Sequence, residues 1–193
     1  MRVYVETSII ADWLLVKTIK TKSRRKVRPR VYKSFRLMEL ILKGRFPDSE
    51  FVTSFWAILE GVGVLKRSRI QFNMLTQNIN LGYYNDFKDK KGFKLETYQI
   101  NEIASKIKLL SKSSERKLQT ISELPIEFDR TFRFLTVGLD PPDAIHATIA
   151  IGEKCKLFVT RDTDFLSRTE TLKRYLDVVN PDTALQRLLA TRQ

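Results

Sequence analysis

Four short apolar runs punctuate the chain, and the segment after each of them constrains the fold. Arg2-Val3-Tyr4-Val5 alternates like a strand and leads into Ile9–Leu15, which reads as a helix. Phe51-Val52-Thr53 is followed by SFWAILEGVGVLKR, a helical stretch with Ser54 placed to cap it. Lys156–Thr160 (KLFVT) runs into the turn RDTDF, and Leu176–Val179 precedes Asn180-Pro181-Asp182, the start of a terminal helix. Strands separated by helices are what a parallel sheet requires, because parallel neighbours can be joined only through a crossover. The expected class is therefore α/β with a mainly parallel central sheet.

Between these landmarks the pattern is mostly helical. Pro29 predicts a loop, and residues 31–43 carry helical spacing that stops at Gly44. Gly61 and Gly63 weaken their helix locally or allow close packing. Residues 68–88 are helical in character, FKLE (93–96) reads as a strand, and 98–116 reads as an amphipathic helix with Ile100, Ile103, Ile107 and Leu110 on one face. Residues 118–135 are mixed and interrupted by Pro125. Pro141 and Pro142 open a helix that runs to about Lys154, since proline is tolerated in a first turn.

Composition narrows the function. The 193 residues suit one domain, and 42% hydrophobic with 30% charged residues is a globular balance. Cys155 is the only cysteine, so no disulfide can form within the chain. No run reaches the length of a membrane span, and the N-terminus lacks a signal-peptide pattern, which predicts a cytoplasmic protein with no membrane association. The net charge is +13. Ten of the cations lie between Lys17 and Arg36 with no acid among them, and the remainder of the chain carries 25 − 22 = +3. Such a segment is the footprint of a polyanion such as RNA, with Lys22, Arg24, Arg25, Lys26, Arg28 and Arg30 as candidate contacts. A solvated loop or a dock for an acidic partner protein are the other readings.

The acids sit where ligands bind in open parallel sheets, at the carboxyl ends of strands. Glu6 follows the first strand; Asp162 and Asp164 follow KLFVT. Glu60 is the only charge between Ser54 and Lys66, and Asp143 opens an almost wholly apolar helix. Each has an ordinary alternative: Glu6 and Asp143 as helix-terminus residues, Glu60 as a solvent-facing side chain, Asp162 and Asp164 as turn residues. Taken together, these carboxylates can converge only where crowded negative charge is tolerated, and a hard divalent cation, Mg²⁺ or Mn²⁺, supplies that tolerance. His146 is the sole histidine, which excludes a histidine-rich zinc site and leaves it a structural or supporting role. No P-loop, G-x-G-x-x-G or G-x-S-x-G motif is present.

VYVETSII, the lone Glu60 in the helix after the second strand, DAIHATIA, LFVTRDTDF and the closing NPDTAL resemble the PIN domain, in particular the VapC-like toxin ribonucleases. The resemblance covers roughly residues 1–16, 50–66 and 138–190, and its most specific part is the pair Asp143 and Asp162, 19 residues apart. Glu6 stands where Asp is usual. The longer intervals around Glu60 are accounted for by a basic insertion at about 17–36 and a helical one at about 68–135. The resemblance implies a single PIN-like domain over 1–193, of three-layer α/β/α build. It also implies a pocket of Glu6, Glu60, Asp143, Asp162 and Asp164 that cleaves RNA phosphodiesters, with Glu6, Asp143, Asp162 and Asp164 holding Mg²⁺ or Mn²⁺ and Thr7, Ser8 and Thr160 supporting the acids. A homodimer and an antitoxin partner come with the VapC-like reading, and Trp13, Leu14, Phe35 and Leu37 are candidate dimer-face residues. The competing expectation is a PIN-fold scaffold that binds RNA or protein without turning it over.

Overall fold

The computed structural model describes residues 1–17, 27–114, 117–122 and 127–190. In chain order, β1 (Arg2–Val5) leads to α1 (Thr7–Lys17) and α2 (Pro29–Leu42), and β2 (Glu50–Ser54) to α3 (Phe55–Thr76), α4 (Tyr84–Phe87) and α5 (Thr97–Ser114). β3 (Gln119–Ile121) then leads to α6 (Phe128–Thr136) and α7 (Pro141–Gly152), β4 (Leu157–Val159) to α8 (Thr163–Leu166) and α9 (Thr169–Leu172), and β5 (Asp177–Val179) to α10 (Pro181–Ala190). The strands form one all-parallel sheet in the order β3-β2-β1-β4-β5. The α/β class expected from the strand–helix alternation is the one observed.

Side-chain alternation along each strand divides the core into two layers. Val3, Val5, Phe51, Leu157, Val159 and Val179 point to one face, where they pack with Trp13, Leu14, Leu37, Met38 and Leu188 from α1, α2 and α10. Tyr4, Val52, Phe158 and Val178 point to the other and meet Phe134, Ala144, Ala147 and Phe165 from α6, α7 and α8. The sheet is thus sandwiched between helices. A third, small cluster of Ile70, Met74 and Phe93 ties the far end of α3 to the segment before α5.

The chain steps from β1 to β2 and β3 on one side, then returns across β1 to place β4 and β5 on the other. The reversal lies between β1 and β4, paired in register from Val3↔Leu157 to Val5↔Val159. Ligands of open parallel sheets bind at the carboxyl side of such a reversal. Glu6 and Thr160 are the next residues along these two strands.

Several local expectations are corrected. FKLE is not a strand: Phe93 lies in a turn and Glu96 precedes α5. The 68–88 stretch is divided among the end of α3, a 3-10 turn (Leu81–Tyr83) and α4. On α5, Ile103, Ile107 and Leu110 meet the core, whereas Ile100 is 53% exposed. β3 lies within the mixed stretch 118–135, where no strand is expected. Pro29 does not sit in a loop but opens α2, its missing N–H being dispensable there. α3 runs unbroken through both glycines. A Cβ at Gly61 would make ordinary contacts with Ile10 and Leu14, and one at Gly63 would meet open space, so neither is needed for close packing. Trp13, Leu14, Phe35 and Leu37 do not form an exposed face; all four are buried within the chain's own core. Among the described residues, no helix is long and apolar enough to cross a membrane.

Candidate functional site

Glu6 is held in place by the loops that leave β1 and β4. Its backbone N–H continues the ladder to Val159 O (3.1 Å). Its Oε2 accepts three hydrogen bonds: from Ser8 N (2.9 Å), Ser8 Oγ (2.6 Å) and Thr160 Oγ1 (2.9 Å). Ser8 Oγ in turn accepts from Arg161 N, and Thr160 Oγ1 from Asp162 N. The two loops are laced together by hydroxyls, with a nearly buried carboxylate (5% exposed) at the centre.

Glu60 projects from the second turn of α3. Its Oε2 accepts from Thr7 Oγ1 (2.6 Å) and lies 2.7 Å from His146 Nε2, while Oε1 accepts from the Trp56 indole N–H (3.0 Å). Burial pushes its carboxyl upward, but the hydrogen bonds from His146 and Thr7 outweigh that and hold it below the usual range. His146, one turn beyond Asp143 on α7, places Nδ1 2.9 Å from the Tyr4 hydroxyl, which is 2.9 Å from Ser54 Oγ; that oxygen accepts from Ala57 N as the cap of α3. A single direction of donation satisfies every member: Ala57 N–H to Ser54, Ser54 to Tyr4, Tyr4 to Nδ1, and Nε2–H to Glu60. This places an N–H on Nε2 from the network.

Asp143, Asp162 and Asp164 form the other half of the site, each offering an oxygen within 4.8 Å of the others; the carboxylate oxygens of Glu6 and Glu60 and a ring nitrogen of His146 lie equally close among themselves. Asp162 caps α8, its Oδ1 accepting from Asp164 N (2.7 Å). The halves face one another electrically. Burial, followed by the charges of Asp162, Glu6 and Asp164, pushes the Asp143 carboxyl up to about 7, against a lowering by His146. The nearest cations do not relieve the crowding. Arg161 Nη2 donates to Asp12 Oδ1 (2.9 Å), with Nε 2.6 Å from Oδ2 and out of line for a hydrogen bond; Arg168 stays 3.7 Å from Asp164 at an exposed edge. Among the described residues, no lysine or arginine pairs with Glu6, Asp143 or Asp162.

The five sequence-predicted acids therefore fall into two groups, Glu6 with Glu60 and His146, and Asp143 with Asp162 and Asp164, and the charge of Glu6 reaches Asp143 in the other group. Of the three hydroxyls expected to support the acids, those of Ser8 and Thr160 hold Glu6 and that of Thr7 holds Glu60. The donor set is oxygen-rich and free of cysteine, which suits Mg²⁺ or Mn²⁺. The like charges around Asp143, unpaired with any lysine or arginine among the described residues, are what a divalent cation would offset. Of the basic residues, Lys22, Arg24, Arg25 and Lys26 lie outside the described residues. Arg28 and Arg30 are exposed at the start of α2, and the charge of Arg30 reaches Asp12 beside Arg161. Lys17 and Lys33 are already paired, with Glu39 (2.8 Å) and Asp182 (2.6 Å).

Sequence reasoning placed Ser54 as the cap of α3 but missed its bond to Tyr4, and it missed Tyr4, Trp56 and the Asp12–Arg161 pair. Trp56 was within reach, since a residue four before Glu60 on one helix shares its face. The Tyr4–His146 contact, 142 positions apart, carries no local signal. No protein-family model matches the chain, and no curated protein is significantly similar to it.

Proposed function

We propose that this chain is a divalent-metal-dependent endoribonuclease with a PIN-like active site, hydrolysing RNA phosphodiester bonds. The observation that carries the reading is the approach of two acidic groups, Glu6 with Glu60 and Asp143 with Asp162 and Asp164, at the topological reversal between β1 and β4, with no lysine or arginine among the described residues paired to Glu6, Asp143 or Asp162. Glu6, Asp143, Asp162 and Asp164 would hold the ion. When bound, Mg²⁺ or Mn²⁺ supplies a water of lowered pKa and positive charge against the phosphate oxygens.

The chain's own residues prepare that chemistry. Ser8 and Thr160 fix one oxygen of Glu6 so that the other is presented at a set angle. Thr7, His146 and Trp56 keep Glu60 ionised and immobile, a base or an orienting acceptor for a water proton. The exposed Arg28 and Arg30 bring the phosphate backbone toward a pocket that would otherwise repel it. In the VapC-like form of this reading, an acidic antitoxin covers the basic segment and two copies pair. The core positions of Trp13, Leu14, Phe35 and Leu37 place any such dimer face elsewhere.

The test is incubation of purified protein with total RNA in Mg²⁺ or Mn²⁺, with and without EDTA, followed by mapping of cut ends. Metal-dependent cuts that vanish in Asp143→Asn are expected. Binding without cutting favours the inactive scaffold, and neither binding nor cutting overturns the reading.

A further inference from the structure

Trp56 sits in the first full turn of α3, immediately after the carboxyl end of β2, and is partly buried. Its indole N–H donates to Glu60 Oε1 (3.0 Å), so the ring is fastened to one wall of the acidic pocket. The fastening is rigid, because Glu60 is itself held through its other oxygen by Thr7 and His146. Beside it, Phe55 is 52% exposed and Leu59, one turn further on, is 48% exposed. Uncharged, partly exposed apolar side chains therefore flank the acidic site on α3.

We infer that Trp56 is a base-stacking wall for a nucleotide adjoining the phosphate bound at the acids. The inference rests on the proposed ribonuclease function. Acids cannot attract the substrate by charge, and phosphate contacts made at the basic segment carry no preference for an unpaired base. An aromatic face supplies an attraction that every base can use, provided the base is free of a helix. A duplex keeps its bases stacked on each other and cannot use it. A ring already locked by its N–H loses little conformational freedom when a base settles on it.

The chain has two tryptophans, and the other, Trp13, is 1% exposed with its indole bonded to Glu39. Intrinsic fluorescence therefore reports on Trp56. In the Asp143→Asn background with Mg²⁺, a short single-stranded RNA should quench it, and a blunt duplex of the same sequence should not. In the active protein, Trp56→Ala should raise KM for that strand by roughly 5- to 100-fold, with a smaller change in kcat. The slope of affinity against salt should stay unchanged, because stacking neutralises no phosphate. Trp56→Phe keeps an aromatic face without the N–H and should retain most of the affinity.

The deciding measurement replaces the nucleotide beside the cut with an abasic one. Wild type should weaken to the level of Trp56→Ala, and Trp56→Ala should lose nothing further. Equal losses for intact and abasic strands, or fluorescence indifferent to bound RNA, would overturn the inference. Should Trp56→Ala not fold, the wild-type quenching and Trp56→Phe still decide it. Wild type that binds and quenches but cuts nothing overturns the ribonuclease reading while leaving the stacking wall standing.

Discussion

Nε2 of His146 lies 2.7 Å from Oε2 of Glu60, joining α7 to α3 across the site. The contact ends a run of hydrogen bonds that starts at the α3 cap, so His146 is both a core residue and a support for Glu60. His146→Ala leaves the buried Tyr4 hydroxyl without its acceptor and the half-buried Glu60 without one of its three side-chain donors. The expected cost is about 2–4 kcal/mol, read from urea melts. His146→Gln, which can reach with an amide, should recover part of it. A loss below about 0.5 kcal/mol for the alanine variant would mean that the network contributes nothing to stability.

The crowding of Asp143 predicts a pH signature. Its native carboxyl titrates at about 7, above its ordinary value. A raised acid pKa favours the folded state while the group is protonated, and that contribution is lost as pH rises through the native value. Without metal, the protein should therefore lose stability between about pH 4 and pH 7 through this group. Asp143→Asn removes the charge and should raise the melting temperature in EDTA by a few degrees at pH 8, by less at pH 5 and hardly at all below pH 4. Mg²⁺ should stabilise wild type more than the variant. An Asn variant that gains as much at pH 5 as at pH 8 contradicts the repulsion argument.

Ser8 and Thr160 supply three of the contacts that aim Glu6. Replacing both hydroxyls, Ser8→Ala with Thr160→Val, leaves only the Ser8 N–H on Oε2. Supporting hydrogen bonds of this kind typically change metal affinity by roughly 10- to 100-fold. The concentration of Mn²⁺ needed for half-maximal thermal stabilisation should rise accordingly, a readout independent of cleavage. An unchanged midpoint would show that Glu6 keeps its aim without them.

Much of this architecture was legible in the chain because it is written locally. Tyr4, Val52, Phe158 and Val178 alternate with their neighbours in strands buried on both faces, and acids at strand ends mark the ligand side. β3 was not legible. Gln119 and Thr120 are exposed on an edge strand, so no apolar run announces it. FKLE misled for the opposite reason: Phe93 and Leu95 are apolar because they pack on Ile70 and Met74, not because they pair with a strand. Trp13, Leu14, Phe35 and Leu37 read equally well as an interface or a core, since hydrophobicity alone does not say which partner covers it. The pairing of Tyr4 with His146 depends on β1 and α7 being neighbours, which only the completed topology provides.

The buried position of Leu37 separates core from interface in solution. Leu37 is fully buried against α1 and the sheet. Leu37→Ala should cost about 2–5 kcal/mol in a denaturant melt, the usual penalty for a buried leucine. The molar mass from light scattering should stay that of wild type under native conditions. A drop in mass with no loss of monomer stability would place Leu37 between copies instead.

The start of α2 brings charge to the edge of the site. Arg28 and Arg30 are exposed there, and Arg30 acts on Asp12, whose partner Arg161 immediately precedes Asp162. Phosphates drawn to this end of the helix arrive beside the acids rather than across the molecule from them. Each phosphate neutralised on a single strand adds roughly 0.7 to the slope of log K against log salt. Replacing Arg24, Arg25, Lys26, Arg28 and Arg30 with Gln should flatten that slope by up to about 3 and weaken binding alike for all sequences, measured on Asp143→Asn protein. Turnover of a short strand at saturation should change less, since no acid has been altered. An unchanged slope would mean that these cations face something other than RNA, and an acidic protein partner is then the surface to seek.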